Sequence, residues 1–142
     1  MVKSLLTLAL VVLVTLASIH VSAQTVSRSK VERIVKEALQ EMTVDYPQIE
    51  RERGYVEVEF KILYREMVVS GTERKFRDTT KSDSEYIDEF KSELIRLLPT
   101  TKIIYSEYDL EDDEWEVHLY LGPDIDIDKI KVDARTGNLK PD

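Results

Sequence analysis

Acidic side chains are the residues of this sequence whose spacing could do chemistry. Asp124, Asp126 and Asp128 alternate along one stretch, as the first three acidic ligands of a helix-flanked calcium-binding loop do. The rest of such a loop is missing, because Lys129 stands where the loop requires glycine. A second acidic run covers residues 107–114. A solvated acidic turn is the simpler interpretation, and the alternative is that these aspartates bind calcium or a mineral surface weakly.

Side chains suited to catalysis are scarce. His20 belongs to the N-terminal apolar segment, so His118 is the one histidine beyond it, and the sequence contains no cysteine. Thiol catalysis, cysteine-ligated zinc and disulfides are therefore excluded, and no Ser-His-Asp arrangement is apparent. Strand alternation places His118 on the side of Glu116 and Tyr120, away from a core-facing Trp115. We interpret the chain as a non-enzymatic protein without a cofactor.

The N-terminal segment predicts where the protein works. Lys3 supplies a positive charge before an apolar run at residues 5–16, and residues 21–23 end it like a signal-peptidase cleavage site. The run is too short to span a bilayer as a mature helix. We expect a signal peptide over residues 1–23 and a secreted protein over residues 24–142, with no membrane attachment after cleavage.

The charge balance excludes some classes of partner. The chain has 28 acidic and 20 basic residues, a net charge of −8, and removal of Lys3 with the leader would make it −9. Nucleic acids and anionic membranes favour clustered Lys and Arg, whereas the basic residues here are scattered among acids. We expect no nucleic-acid partner. Residues 24–142 contain no linker rich in Gly, Ser or Pro, which indicates one domain.

Amphipathic patterning predicts two helices. Apolar residues recur with helical spacing over residues 31–42, after a capping box that begins at Ser29. Tyr46-Pro47 is expected to end this helix, because proline cannot continue it. The second helix begins at Ser82 or Ser84, where Ser82 and Glu85 offer another capping box, and it is closed by the proline that follows its apolar stripe.

Alternation of apolar and polar residues predicts the strands. The longest covers residues 56–69 and turns at Ser70-Gly71 into a return strand over residues 72–80. Three more strands are expected at residues 103–110, 115–121 and 125–132. The order αββ then αβββ, with hairpin-length turns, predicts an α+β fold. We expect an antiparallel sheet of about five strands with two helices on one face.

The predicted hairpin tip, Met67-Val68-Val69-Ser70-Gly71, resembles the inhibitory loop of cystatins, Gln-Val-Val-Ala-Gly. The turn Gly122-Pro123-Asp124 lies where that family has its second hairpin, usually Pro-Trp. The resemblance implies that the two loops form a wedge that enters the cleft of papain-like cysteine proteases without covalent chemistry. Small or apolar residues suit this role because they lose little side-chain entropy on binding. The partner-binding residues that it implies are Met67, Val68, Val69, Ser70, Gly71, Gly122, Pro123 and Asp124.

The C-terminal half resembles PepSY domains. Residues 132–139 read Val-Asp-Ala-Arg-Thr-Gly-Asn-Leu, similar to the Val-Asp-Ala-x-Thr-Gly-x-Val that often closes that family. PepSY proteins include exported modules, some of them linked to protease control. The same residues also suit a structural turn, because Asp and Thr bond nearby amides and Gly accepts a positive φ.

Two functions follow as alternatives. The first is a secreted binding module, either a degenerate cystatin-type inhibitor or regulator of papain-like cysteine proteases or a binder of another extracellular protein. The second is an acidic protein of the extracellular matrix or of mineral surfaces that binds calcium weakly. Adjacent loop tips would favour the first function, and a continuous acidic face would favour the second.

Overall fold

A computed structural model describes residues 25–78 and 80–142; the predicted signal peptide lies outside these residues. Each half of the chain begins with a helix and continues with strands. None of the described helices is both long and apolar enough to cross a membrane. In chain order the elements are α1 (Arg28–Leu39), β1 (Thr43–Glu52), β2 (Tyr55–Tyr64), β3 (Met67–Arg77), α2 (Asp83–Leu97), a 3-10 turn (Leu98–Thr100), β4 (Lys102–Asp109), β5 (Glu114–Tyr120), β6 (Ile125–Ile127) and β7 (Ile130–Asp133).

The strands form two antiparallel sheets. One has four strands in the order β1-β2-β3-β6, and the other has three in the order β4-β5-β7. The α+β class is confirmed, but the described strands number seven in two sheets rather than about five in one. The helices cross over between the halves: α1 packs on β4 and β5, and α2 packs on β1 and β2. Each half therefore covers the sheet of the other.

The first helix is shorter than predicted, and a strand follows it. Ser27, not Ser29, caps it, and its hydroxyl accepts a hydrogen bond from the amide of Lys30 at 3.3 Å. The helix ends at Leu39, so the predicted stop at Tyr46-Pro47 is wrong. These two residues lie instead in a bulge of β1, where Tyr46 has φ 56° and the pairing with β2 shifts register. An edge strand tolerates Pro at such a bulge.

The β2–β3 hairpin turns at a different place from the predicted one. Arg65 and Glu66 form the two-residue turn, with φ of 49° and 68°, and Tyr64 pairs with Met67 across it. Two successive positive φ values suit a hairpin turn but are uncommon outside Gly, Asn and Asp. The predicted turn at Ser70-Gly71 is therefore wrong, since both residues pair with β2 inside β3.

The core lies between the helices and the inner faces of the sheets. Phe60 of β2 meets Phe90 of α2 with ring centroids 5.7 Å apart. The predicted capping box of α2 is present, with Ser82 and Glu85 each bonding the other's backbone amide. Trp115 is 8% exposed, as expected of a core residue, and its indole nitrogen donates to the carbonyl of Val26 at 3.0 Å. Full burial of each large apolar side chain contributes about 1.5–3 kcal/mol.

Candidate functional site

The residues predicted to bind a protease lie mainly inside the sheet. Val69, Ser70 and Gly71 are buried, and Met67 and Val68 are half-buried, because all five belong to β3. A strand in the middle of a sheet cannot act as a protruding loop. The predicted placement of residues 67–71 at a hairpin tip is thus wrong.

The second predicted loop does form a turn, but it lies far from the true hairpin tip. Gly122, Pro123 and Asp124 precede β6, whose first residue Ile125 pairs with Arg74 near the end of β3. The turn at residues 65–66 begins the same strand. At about 3.3 Å per residue, the two turns stand roughly 25 Å apart along β3. They do not combine into a wedge.

Acidic side chains line the outer face of the four-stranded sheet, the face away from α2. One row crosses all four strands: Gln48 pairs with Glu59, Glu59 with Glu73, and Glu73 with Asp126. Glu57 lies in the next row, opposite Lys75. Like charges directly opposite each other destabilise a sheet. This row therefore weakens the isolated fold.

The closest carboxylates are those of Glu57, Glu59 and Glu73, which we call the carboxylate cluster. One oxygen from each lies within 4.8 Å of the others. Two charges at such a distance repel by roughly 1 kcal/mol in bulk water and by several times that near a protein surface. The pKa of Glu73 is raised to about 7, chiefly by its hydrogen bond with Glu57, then by burial and by the charges of Glu57, Asp126 and Glu59.

A shallow cavity of about 210 Å³ adjoins the cluster, and we call it the acidic groove. The bulge of β1 contributes Tyr46 to its lining. Gly71 leaves it open, since a Cβ there would stand 3.1 Å from Oδ2 of Asp128. The polar and charged lining residues are Tyr46, Gln48, Glu59, Lys61, Thr72, Glu73, Asp126 and Asp128.

Hydrogen bonds hold two aspartates against this groove. The Ser70 hydroxyl donates to the carbonyl of Asp128 at 2.6 Å, and the Asp128 amide donates to the carbonyl of Gly71 at 2.9 Å. Thr72 donates in the same way to the carbonyl of Asp126 at 2.7 Å. Ser70 and Gly71, which were predicted to contact a protease, thus position Asp128 just after β6.

The three predicted calcium ligands are not kept together. Asp126 and Asp128 line the acidic groove, whereas Asp124 lies in the preceding turn with φ 64° and is not part of the lining. The groove that Asp126 and Asp128 line also contains Glu59 of β2 and Glu73 of β3. The sequence places both glutamates on a solvated strand face. Glu59 and Glu73 become neighbours only because of the hairpin register, so a correct position for the turn would have revealed them.

Several carboxylates of the acidic run at residues 107–114 already have partners within the protein. An Asp109 oxygen accepts from the amides of Glu111 and Asp112 at 3.0 and 3.3 Å. Asp113 pairs with Arg135 at 2.7 Å, and hydrogen bonds from Arg135 and Tyr108 lower its pKa. Internal partners of this kind make the run a poor calcium site.

His118 lies on the outer face of the three-stranded sheet. Its ring stacks on Tyr105 with centroids 4.2 Å apart, and its Nε2 is 3.4 Å from a Glu107 oxygen. Within residues 25–78 and 80–142 no hydroxyl nucleophile is hydrogen-bonded to it. The non-enzymatic interpretation stays a prediction.

The ending that resembles PepSY domains forms a tight turn. Asp133 accepts from the amides of Arg135 and Thr136 at 2.8 and 2.9 Å, and Gly137 has φ 77°. Each residue type thus has a structural role here. Comparisons of the sequence with protein-family models, with characterised proteins and with solved structures find no match. Both family resemblances stay predictions.

Proposed function

We propose that this protein is an exported, non-enzymatic binding module that holds calcium weakly on the acidic outer face of its four-stranded sheet. The observation that carries the proposal is the carboxylate cluster, three glutamates within 4.8 Å of one another beside the acidic groove. Inhibition of papain-like proteases is the weaker alternative, because residues 67–71 lie inside β3.

The donor set suits calcium. Calcium takes six to eight oxygen ligands at about 2.3–2.6 Å in flexible geometry. The cluster and the groove offer carboxylates, and the Gln48 side chain lies on the same row. Among the described residues, none of the five carboxylates at this surface (Glu57, Glu59, Glu73, Asp126, Asp128) forms an ion pair with Lys, Arg or His. A bound cation would therefore relieve repulsion without breaking an existing pair.

The expected affinity is low, and export makes low affinity sufficient. The groove is open to solvent, and its oxygen donors come from four separate strands. Extracellular calcium modules typically bind with dissociation constants of about 0.1–1 mM. The proposed export rests on residues 1–23, and N-terminal sequencing of the secreted protein is expected to begin at Gln24.

Calorimetric titration with calcium tests the proposal. We expect binding with a dissociation constant of about 0.1–1 mM, weakened at least about tenfold in the double variant Glu59→Gln with Glu73→Gln. The matched control removes two exposed charges from the helices, Glu37→Gln with Asp88→Asn, and should leave binding unchanged. No heat up to about 10 mM calcium, or equal heat in both double variants, would overturn the proposal.

A second pair of variants keeps every charge in place. Gly71→Ala places a Cβ 3.1 Å from the Asp128 carboxylate, so that side chain must move and calcium binding should weaken. Gly122→Ala is the control, because its Cβ would meet no atom closer than 3.8 Å. Equal calcium affinities of the two variants would show that the cation does not bind in the groove.

A further inference from the structure

We propose that the free edge of β4 binds an extended basic peptide as an additional strand of the three-stranded sheet. Edge strands present unpaired backbone amides and carbonyls, and an incoming strand can pair with them. The proposed surface consists of β4 and the start of the β4–β5 turn, residues 104–111. It is separate from the acidic groove, which lies on the other sheet.

Exposed apolar side chains concentrate at this hairpin. Within the described residues seven large hydrophobic side chains are exposed, and five of them belong to the β4–β5 hairpin. Among the residues of this hairpin Leu110 is the most exposed at 81%, followed by Ile104 at 59%. Such a concentration marks an interaction surface more often than scattered exposure does. The five are Ile104, Tyr105, Tyr108, Leu110 and Tyr120.

The edge of β4 is open, the edge of β1 is interrupted by a bulge, and the far side of the three-stranded sheet is covered. β1 carries the bulge at Tyr46 and Pro47, which interrupts its pairing edge. β7 is covered by the C-terminal segment, through a bridge from Val132 to Leu139 and a bond from the Lys140 amide to the Lys131 carbonyl at 2.8 Å.

The ladder along β4 is regular where a peptide would pair. Among the described residues β4 pairs with β5 alone. A register shift separates Ile103 from Tyr105, and from Tyr105 to Asp109 the pairing with β5 is unbroken. An added strand would find five consecutive residues of β4 in regular register at this position.

Charge determines the kind of peptide. Glu107 and Asp109 lie on the outer face of β4, and exposed Glu111 and Asp112 follow in the turn. The Glu107 side chain is 62% exposed, and one of its oxygens lies 3.4 Å from Nε2 of His118. A strand that carries Lys or Arg on its outward positions would complement these acids, while its backbone supplies most of the affinity.

A second copy of the chain fits this edge poorly. Symmetric antiparallel pairing centred on Glu107 places that residue opposite its own copy, and pairing centred on Tyr108 places Glu107 opposite Asp109. Pairing centred on Ser106 sets the two Glu107 side chains on the diagonal. Each arrangement adds like-charge repulsion between two chains that each have a net charge of −8.

Nuclear magnetic resonance of the protein with designed peptides tests the inference. The probe is an octapeptide of alternating lysine and valine, and the same peptide N-methylated at every residue has no backbone N–H to donate and cannot form a strand ladder. We expect the probe to shift the backbone amide signals of residues 104–111 and the methylated peptide to leave them in place. A peptide of alternating glutamate and valine should bind at least about tenfold more weakly.

Protein variants separate this edge from the acidic groove. Glu107→Lys with Glu111→Lys should weaken the lysine–valine peptide about tenfold, while Glu37→Lys with Asp88→Lys, an equal change in net charge on the helices, should not. The variant Glu59→Gln with Glu73→Gln should retain peptide binding even though it loses calcium.

Four results would overturn the inference. They are equal binding of the methylated peptide, signal shifts confined to the acidic groove, no binding at millimolar peptide, and a concentration-dependent dimer that is abolished by Glu107→Lys. The last result would assign the edge to a second copy of the chain.

Discussion

Glu73 shows how a single position acquires its chemistry from neighbouring strands. It faces Glu59 on one side and Asp126 on the other, and it shares a hydrogen bond with Glu57. The bond requires a proton between two carboxylates, so the pKa of Glu73 rises from its ordinary 4.5 to about 7. Near pH 7 this carboxyl group is therefore protonated about half of the time, and a bound cation would displace that proton.

The raised pKa predicts a pH-dependent stability. A carboxyl group that binds its proton more tightly in the folded state stabilises folding fully below about pH 4.5 and loses that contribution as pH rises through about 7. We expect Glu73→Gln to be more stable than the natural protein at pH 8, by about 1 kcal/mol after allowance for solvent screening, and nearly equal to it at pH 5.

Urea unfolding at pH 5, 6.5 and 8 measures this difference. Calcium binding should strengthen over the same interval, because the cation competes with the proton. If the unfolding free energy changed with pH identically in Glu73→Gln and in the natural protein, the raised pKa of Glu73 would be contradicted.

At the scale of elements, the β2–β3 hairpin decides which residues meet. Its turn at Arg65-Glu66 lacks the residues that favour positive φ, whereas Ser70-Gly71 looks like a turn and lies in a strand. A turn moved by several residues changes every pairing of the two strands, including that of Glu59 with Glu73.

Substitutions in the observed turn at residues 65–66 and in the predicted turn at residues 70–71 test which of the two is the real hairpin turn. Replacing Arg65-Glu66 by Asn-Gly should raise the free energy of unfolding by about 0.5–1 kcal/mol, because these residues adopt the turn with less strain. Ser70→Asn should lower it by about 1–3 kcal/mol, since Ser70 is fully buried and bonds the carbonyl of Asp128. Urea unfolding measures both changes, and the reverse order would contradict the hairpin described here.

The position of residues 67–71 in the β2–β3 hairpin also leads us to a prediction for a protease assay. Residues 67–71 are held in β3, and the turn at 122–124 stands at the opposite end of that strand from the hairpin tip. We expect no inhibition of papain by the purified protein up to high micromolar concentrations. Reversible inhibition lost on Val69→Asp in a folded variant would restore the cystatin-type alternative.

At the scale of the whole molecule, the exchange of helices between halves joins the chain into one core. Buried residues of α1, such as Val31 and Val35, belong to the same cluster as Phe90 and Leu94 of α2. Since α1 packs on β4 and β5 while α2 packs on β1 and β2, neither half can cover its own sheet.

Because each helix packs on strands of the other half, we expect neither half of the chain to fold without the other. Residues 24–79 and 80–142, expressed separately, should each lack the dispersed amide spectrum of a folded protein, because each would expose the apolar face of its sheet. The intact chain, under the same conditions, is the control. A half that folds alone would show that the exchange is not needed for stability.

The features predicted correctly from sequence depend on neighbours along the chain. Helical spacing identified both helices, alternation identified β2, β4 and β5, and the Ser82 capping box was found at its observed place. The burial of Trp115 followed from the same alternation. By contrast, β1 was missed, because its exposed residues and the bulge at Pro47 hide any alternation.

The sequence by itself determined the α+β class, the acidic charge, the absence of thiol chemistry and the apolar faces of most elements, since each is a property of composition or of local periodicity. Tertiary structure alone decided the true hairpin turn, the exchange of helices and the meeting of Glu57, Glu59 and Glu73. The physical reason is that strand register and helix placement depend on hydrogen bonds and packing between residues distant in the chain. Acidic residues that look solvated one by one therefore become a candidate cation site only once the strands are paired.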